Sequence, residues 1–350
     1  MKTLKPLNVT YLISNWISIS MIFLIGEAVI RFGVFAGIVI VCTFLLAFCA
    51  ALPFLKPIFS NSPPVRIQKW LKGLLLAIWF LEIFILHFVI SGLLLQAFFD
   101  LHYTVSIFFT VAITFGVIIF LSKIRMLIFA LKNTKFILIS SLAIFLPTYI
   151  YLQKGLESVY HDLLHYHPSI LHNDQKDLWL LIAIAFLIFF TKFLLQGELL
   201  AKYAGTTFNK GIRKLFVAVF IYSTFILAFS TMMVVAITQN LEVNHVNELL
   251  LYMIRKLSTP NVSHLIGIVL YICTLLTLVL SFFLFEDELD HRRLLRIPQT
   301  LILIAAGCAI VFYHQELTLL NIYSFSGILI SGFILLFLFF RMSKNIKKMK

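Results

Sequence analysis

Apolar residues in this chain come in long unbroken runs rather than in alternation. Ten runs stand out, at 11–30, 34–55, 73–99, 103–122, 136–152, 178–196, 215–238, 264–285, 297–313 and 319–340. A helix that crosses a bilayer needs about 20 mostly apolar residues, and these runs fit that length. Phe, Ile and Val abound in several of them and would suit strands. Strands, however, rarely exceed about 8 residues, and a membrane barrel would alternate polar and apolar positions over segments of about 10. The pattern predicts ten membrane helices. The first run has no A-x-A-like cleavage site and a second run follows at once, so it reads as a span and not as a cleaved signal peptide.

Between the runs, two connections are long. Residues 153–177 place Leu156, Val159, Tyr160, Leu163 and Leu164 on one helical face, which predicts an amphipathic helix lying on the membrane surface. Residues 239–263 contain NELLLYMIRKL, a second such helix, stopped before Pro260. No Gly/Ser linker or low-complexity tract divides the chain, so residues 1–350 form a single membrane domain.

Composition settles the class. Hydrophobic residues make up 61% and charged residues 12%, and mean hydropathy is +1.02. Soluble domains carry about 25% charged residues, so a soluble enzyme with a buried core is excluded, and so is disorder. Cys42, Cys49, Cys273 and Cys308 all lie in apolar runs, with neither a disulfide framework nor zinc spacing. The net charge of +13 would suggest nucleic acid, but its placement explains it. With the N-terminus inside, the inner segments hold 22 Lys and Arg and the outer segments five, with Lys192 inside a span. That bias places both termini in the cytoplasm, with the charge facing lipid headgroups. The wealth of Phe, Ile and Lys suggests an AT-rich bacterial genome, hence a multi-pass protein of a bacterial plasma membrane.

Polar groups inside spans are costly and therefore informative. Residues 14–20 read SNWISIS, and Ser14, Asn15, Ser18 and Ser20 can support an interrupted helix. Freed carbonyls there would coordinate a cation; the alternative is helix packing through small polar residues. The third span carries Glu82 and His87, about 140° apart around an ideal helix. Lys192 in the sixth span is the opposite charge to Glu82, and Gln196 shares its face. These residues either line a polar cavity between spans three and six, or form a structural ion pair, or leave Lys192 snorkelling to the inner surface. His161, His165, His167 and His172 crowd the first outer loop without an H-E-x-x-H pattern, so no metal site or zinc protease is read there. Glu286, Asp287, Glu288 and Asp290 run into His291, Arg292 and Arg293 at an inner edge and read as a self-neutralising loop. No catalytic grouping converges, so no enzymatic activity and no cofactor is expected.

Several segments, taken in order, resemble the sodium:solute symporter family. LISNWISISMIFLIGEAV and ALPFLKPIF resemble its first two core helices. KIRMLIFALKNTKFILISSLAIFLPTYIYLQKGLESVYHDLLHYHP is similar to the stretch from inner loop through fifth helix to outer loop. TKFLLQGELLAKYAGTTFNKGIRKLFVAVFI resembles the sixth and seventh helices, and PNVSHLIGIVLYICTLLTLVLS the eighth. The resemblance implies a LeuT-type fold of two inverted five-helix repeats, here 11–152 and 178–340, with the first helix interrupted between about Ser14 and Ser20 and the sixth near its middle. It implies a secondary transporter for a small organic solute, working by alternating access. Asn15, Ser18, Glu82, His87, Lys192 and Gln196 would bind the solute. Carbonyls at Ile13 and Trp16, with Leu270, Cys273 and Thr274, would form the family's cation site for Na+ or H+. Cys273 stands where a hydroxyl would suit sodium better, and Lys192 would supply a fixed positive charge instead, so solute binding is expected to be independent of sodium. The second function on this fold is a ligand receptor or scaffold that does not transport and signals to a membrane-protein partner, as spore germinant-receptor membrane subunits of similar size do.

Overall fold

The structure, a computed structural model, describes residues 9–59, 69–124, 126–166, 178–201, 208–238, 245–289 and 296–349. The described residues are helical throughout, without a strand. The first apolar run forms two helices, α1 (Val9–Trp16) and α2 (Ser20–Phe32). The next four runs form α3 (Ala36–Phe59), α4 (Lys69–Phe99), α5 (Tyr103–Lys123) and α6 (Met126–Lys154). The first long connection contains α7 (Leu156–Tyr166), and α8 (Leu178–Ala201) and α9 (Phe208–Ile237) follow. A 3-10 turn at Val246–Glu248 leads into α10 (Leu249–Leu257), which ends before Pro260. The last three are α11 (Pro260–Leu289), α12 (Arg296–His314) and α13 (Leu319–Met349).

Among the described residues, eight of these helices are long and apolar enough to cross a membrane: α3 to α6, α8, α9, α11 and α13. The protein is a multi-pass α-helical membrane protein. Of the other two runs, one is the divided helix α1–α2, and the other is α12, whose apolar stretch Pro298–His314 is shorter. Large apolar side chains face outward over the bundle, for example Phe108, Ile144 and Trp179 at 63%, 73% and 78% exposure. In water that surface would aggregate; against lipid tails it is the natural exterior.

The centre of the bundle is α4. Its 31 residues extend about 46 Å, longer than the roughly 30 Å hydrocarbon layer. It packs against α5, α11, α12 and α13. The remaining contacts form a connected set: α3 against α8; α9 against α1, α2, α3 and α6; α6 against α1 and α11; α13 against α2 and α8. Glycine permits two of the closest crossings. A Cβ on Gly267 of α11 would lie 2.6 Å from the Phe98 ring on α4, and one on Gly327 of α13 would lie 2.5 Å from Ile188 on α8. Small residues at such positions let helices approach where lipid supplies no hydrophobic drive.

Two expectations need correcting. α8 is continuous across the sixth run, without the expected break near its middle. That run has no Gly or Pro before Gly197, so nothing in it interrupts the backbone ladder. Second, the fifth span begins not at 136 but at Met126, and it carries Lys132 and Lys135 inside the bundle at 9% and 3% exposure. They belong to the interior, not to an inner loop.

Candidate functional site

The break in the first span is local and short. The last ladder bond of α1 runs from the Ile17 N–H to the Ile13 carbonyl at 2.7 Å. The first bonds of α2 are three-residue turns, from the Met21 N–H to the Ser18 carbonyl and from the Ile22 N–H to the Ile19 carbonyl, both 3.1 Å. The Ser18 side chain fills the gap in the ladder: its oxygen accepts the Ser20 N–H at 3.2 Å and lies 2.8 Å from the Ser20 hydroxyl. Such side-chain competition with the backbone is what short hydroxyl residues do best.

Ser18 also reaches across to α4. His87 Nδ1 lies 2.6 Å from the Ile83 carbonyl, and its Nε2 lies 2.6 Å from the Ser18 hydroxyl. A carbonyl only accepts, so Nδ1 carries the hydrogen. In the neutral ring Nε2 is then a bare acceptor, and Ser18 donates to it. His87 is 1% exposed. The break in the first span is thereby pinned to the central helix.

Glu82, on the same helix, meets Lys192 of α8. The Nζ–Oε1 distance is 2.7 Å, with the carboxylate buried and the ammonium partly so. Ser326 of α13 donates to the other carboxylate oxygen at 2.6 Å. The Lys192 ammonium also sits 3.9 Å from the centre of the Tyr323 ring, in cation–π contact. The sequence left Lys192 between a cavity role, an ion pair and snorkelling; the structure brings it to Glu82 at the edge of a cavity.

That cavity, about 190 Å³, lies among the α1–α2 break, α4, α8, α9 and α13. Asn15, Trp16, Ser18, Glu82, His87 and Lys192 all line it. Much of the wall is aromatic. Phe44 centres on Phe189, Phe193 and Tyr222, each 5.1 Å away, and Trp16 stands edge-on to Phe193 and Tyr222 at 6.0 and 6.4 Å. Lys135 lines the cavity as well. Among the described residues it has neither a hydrogen bond nor an ion pair, and it lies within electrostatic reach of His87 and Cys273. Gln196 lies outside the residues whose side chains are described.

The five positions named for a cation are buried or beside the cavity, but several of their oxygens are engaged. The Ile13 carbonyl takes the Ile17 N–H. The Thr274 hydroxyl donates to the Leu270 carbonyl at 3.0 Å, and the Cys273 carbonyl accepts from Thr277 at 2.8 Å. Trp16 faces the cavity. Lys135 places its side-chain nitrogen near Cys273, and its protonated form makes this an unfavourable setting for a cation.

A second polar cluster ties α2 to the start of α13. Glu27, 1% exposed, accepts the Leu320 N–H at 2.8 Å and pairs with Arg31 at 2.8 Å. Arg31 donates to Thr318 at 2.6 Å and to Asn321 at 3.0 Å. The carboxylate thus lies at the N-terminus of α13, where backbone N–H groups and the helix dipole favour it. On α7, His161 stands 4.0 Å from Glu157, and no three metal-ligating side chains gather among the described residues. His167, His172 and Asp290 to Arg293 lie outside the described residues.

Sequence reasoning missed Lys135, the Ser326 and Tyr323 partners of the ion pair, and the aromatic wall. Neither a protein-family model nor a curated protein matches this chain.

Proposed function

We propose that the chain is a ten-span membrane protein of LeuT type that binds a small organic solute in the central cavity and moves it by alternating access, with both termini in the cytoplasm. The observation that carries this reading is the Ser18–His87 bond, which sets a broken first helix on a cavity shared with α4 and α8. Broken helices meeting a midplane cavity are the general arrangement of such transporters.

The packing supports the repeat. Number α1–α2 as span one, α3 to α6 as two to five, and α8, α9, α11, α12 and α13 as six to ten. Exchanging each span with the one five places away maps most of the contacts onto one another. Span two against six becomes seven against one. Three against nine becomes eight against four. Ten against six becomes five against one, and ten against three becomes five against eight; three–eight and two–seven map onto themselves. A shift of five reverses direction, as an inverted repeat requires.

Solute binding is independent of sodium on this reading, because the engaged carbonyls, and Lys135 when protonated, leave a cation no favourable seat. One observation favours a second reading, a receptor or scaffold that binds ligand without carrying it: α8 is unbroken, whereas the transport mechanism of the fold uses two broken helices. Signal would then pass to a membrane-protein partner. The protein reconstituted in liposomes, offered a solute panel with and without sodium and proton gradients, tests both. Gradient-driven uptake supports the transporter, saturable binding without uptake supports the receptor, and neither result from any solute overturns both.

A further inference from the structure

Among the described residues, the charged groups around the cavity leave one basic side chain, Lys135, without an acidic partner. Glu82 has both carboxylate oxygens engaged, by Lys192 and by Ser326. Glu27 is engaged by Arg31 and by the N-terminus of α13. Asp287 lies within electrostatic reach of Lys132, one turn from Lys135. Asp100 pairs with Arg255, and Asp162 with Lys154, away from the cavity. Among the described residues Lys135, 3% exposed and facing the cavity, receives no acid. Glu82 is the sole acid among the described residues that line the cavity and Lys192 already neutralises it, so a protonated Lys135 gives the cavity one net positive charge with His87 neutral, and more with it charged. A buried charge without a partner is unfavourable, and a partner supplied from outside is correspondingly favoured.

We infer that the cavity takes a small organic anion, a carboxylate with an apolar body, and that Lys135 is its counter-ion. The inference rests on the proposal that the cavity is a solute site, and it names the solute's class. Size sets the scale. A cavity of about 150 Å³ holds a benzene ring; on the same scale 190 Å³ seats about eight non-hydrogen atoms. The aromatic wall of Phe44, Phe193, Tyr222 and Trp16 suits a ring or a branched aliphatic body. A zwitterion is disfavoured, since among the described residues no lining carboxylate is free to meet its ammonium, and an amine is disfavoured further.

Two trios of one shape and different charge test this: phenylacetate, phenylacetamide and 2-phenylethylammonium, then 4-methylpentanoate with its amide and amine. Binding to the full chain in lipid nanodiscs is followed by calorimetry. At least one acid should bind about tenfold or more tighter than its amide, as expected for a charged hydrogen bond, with the amine weaker still. Lys135→Arg should keep that preference, and Lys135→Met should bring acid and amide level. An amide or amine that binds the wild-type chain as well as the acid overturns the anion assignment but leaves the cavity a solute site. A preference unchanged in Lys135→Met overturns the role of Lys135. Failure of both trios to bind at millimolar concentration overturns the inference, while binding of other solutes in the liposome panel would leave the site itself standing.

Discussion

Replacing Lys192 by Met should destabilise the bundle, and the structure sets how much. At 2.7 Å, and at an effective dielectric of about 20, the attraction between the two charges is about 6 kcal/mol. The desolvation of Glu82 offsets a large share of this. What Lys192→Met leaves behind is a buried carboxylate held by Ser326 alone. Removing one member of a buried pair costs about 3–5 kcal/mol. The Lys192 side chain keeps 13% exposure towards the cavity, which puts the expected loss near the lower end, about 3 kcal/mol. Glu82→Gln should strand the ammonium and cost a similar amount. The double variant removes both charges while Gln keeps the bond from Ser326, so it should lose only about 1 kcal/mol. The cycle then shows a coupling of about 5 kcal/mol. Unfolding in mixed detergent–SDS micelles, followed by far-UV circular dichroism, reads all four proteins. Losses that simply add in the double variant, or a Lys192→Met protein as stable as wild type, would refute the pairing and favour an ammonium that snorkels to the membrane surface.

Three further outcomes are expected. Ser18→Ala removes the hydroxyl that His87 accepts from, and should cost about 1 kcal/mol in the same unfolding assay while weakening binding of any cavity ligand in calorimetry. Arg31→Gln breaks the bonds to Thr318 and Asn321, and hydrogen exchange at Leu320 and its neighbours should speed up about tenfold. Gly267→Ala drives a methyl into Phe98 and should destabilise by about 1–3 kcal/mol. Gly116→Ala, with nothing within 4 Å of its Cβ, should cost nothing, and equal effects at the two positions would discredit the close α4–α11 crossing.

Apolar runs located the helices because the membrane punishes any polar interruption, but charged helix ends such as 126–135 extend beyond the runs. The break at Ser18 was legible for the same reason: Ser14, Asn15, Ser18 and Ser20 crowd a stretch where an unbroken span would carry apolar side chains. Lys135 escaped because it was assigned by its nearness to the end of a run. The better signal was the buried stripe of α6. Ile139, Leu142, Leu146 and Ile150 recur at helical spacing, and the same stripe extended backwards lands on Lys135 and Lys132. The aromatic wall was not legible at all. The chain has 37 Phe, and only tertiary packing selects Phe44, Phe189 and Phe193 from among them. Glu82 and Lys192 were legible as opposite charges, but their contact depends on how α4 and α8 cross.

The bonds around Ser18 all run one way. With the His87 ring neutral, Ser18 gives its hydrogen to Nε2, and Nδ1 gives its own to the Ile83 carbonyl. Ser18 has then spent its single hydrogen, so at 2.8 Å Ser20 must be the donor to it. Donors therefore point from α2 towards α4 without a reversal, and the open end, at Ser20, offers lone pairs to the cavity. A proton added at His87 would turn the whole row around: Nε2 would donate to Ser18, and Ser18 would donate to Ser20. Ser20 would then present a hydrogen where it had presented lone pairs. A charge change on α4 would thus be read at the broken helix as a switch from acceptor to donor, with no side chain moving further than the rotation of two hydroxyls.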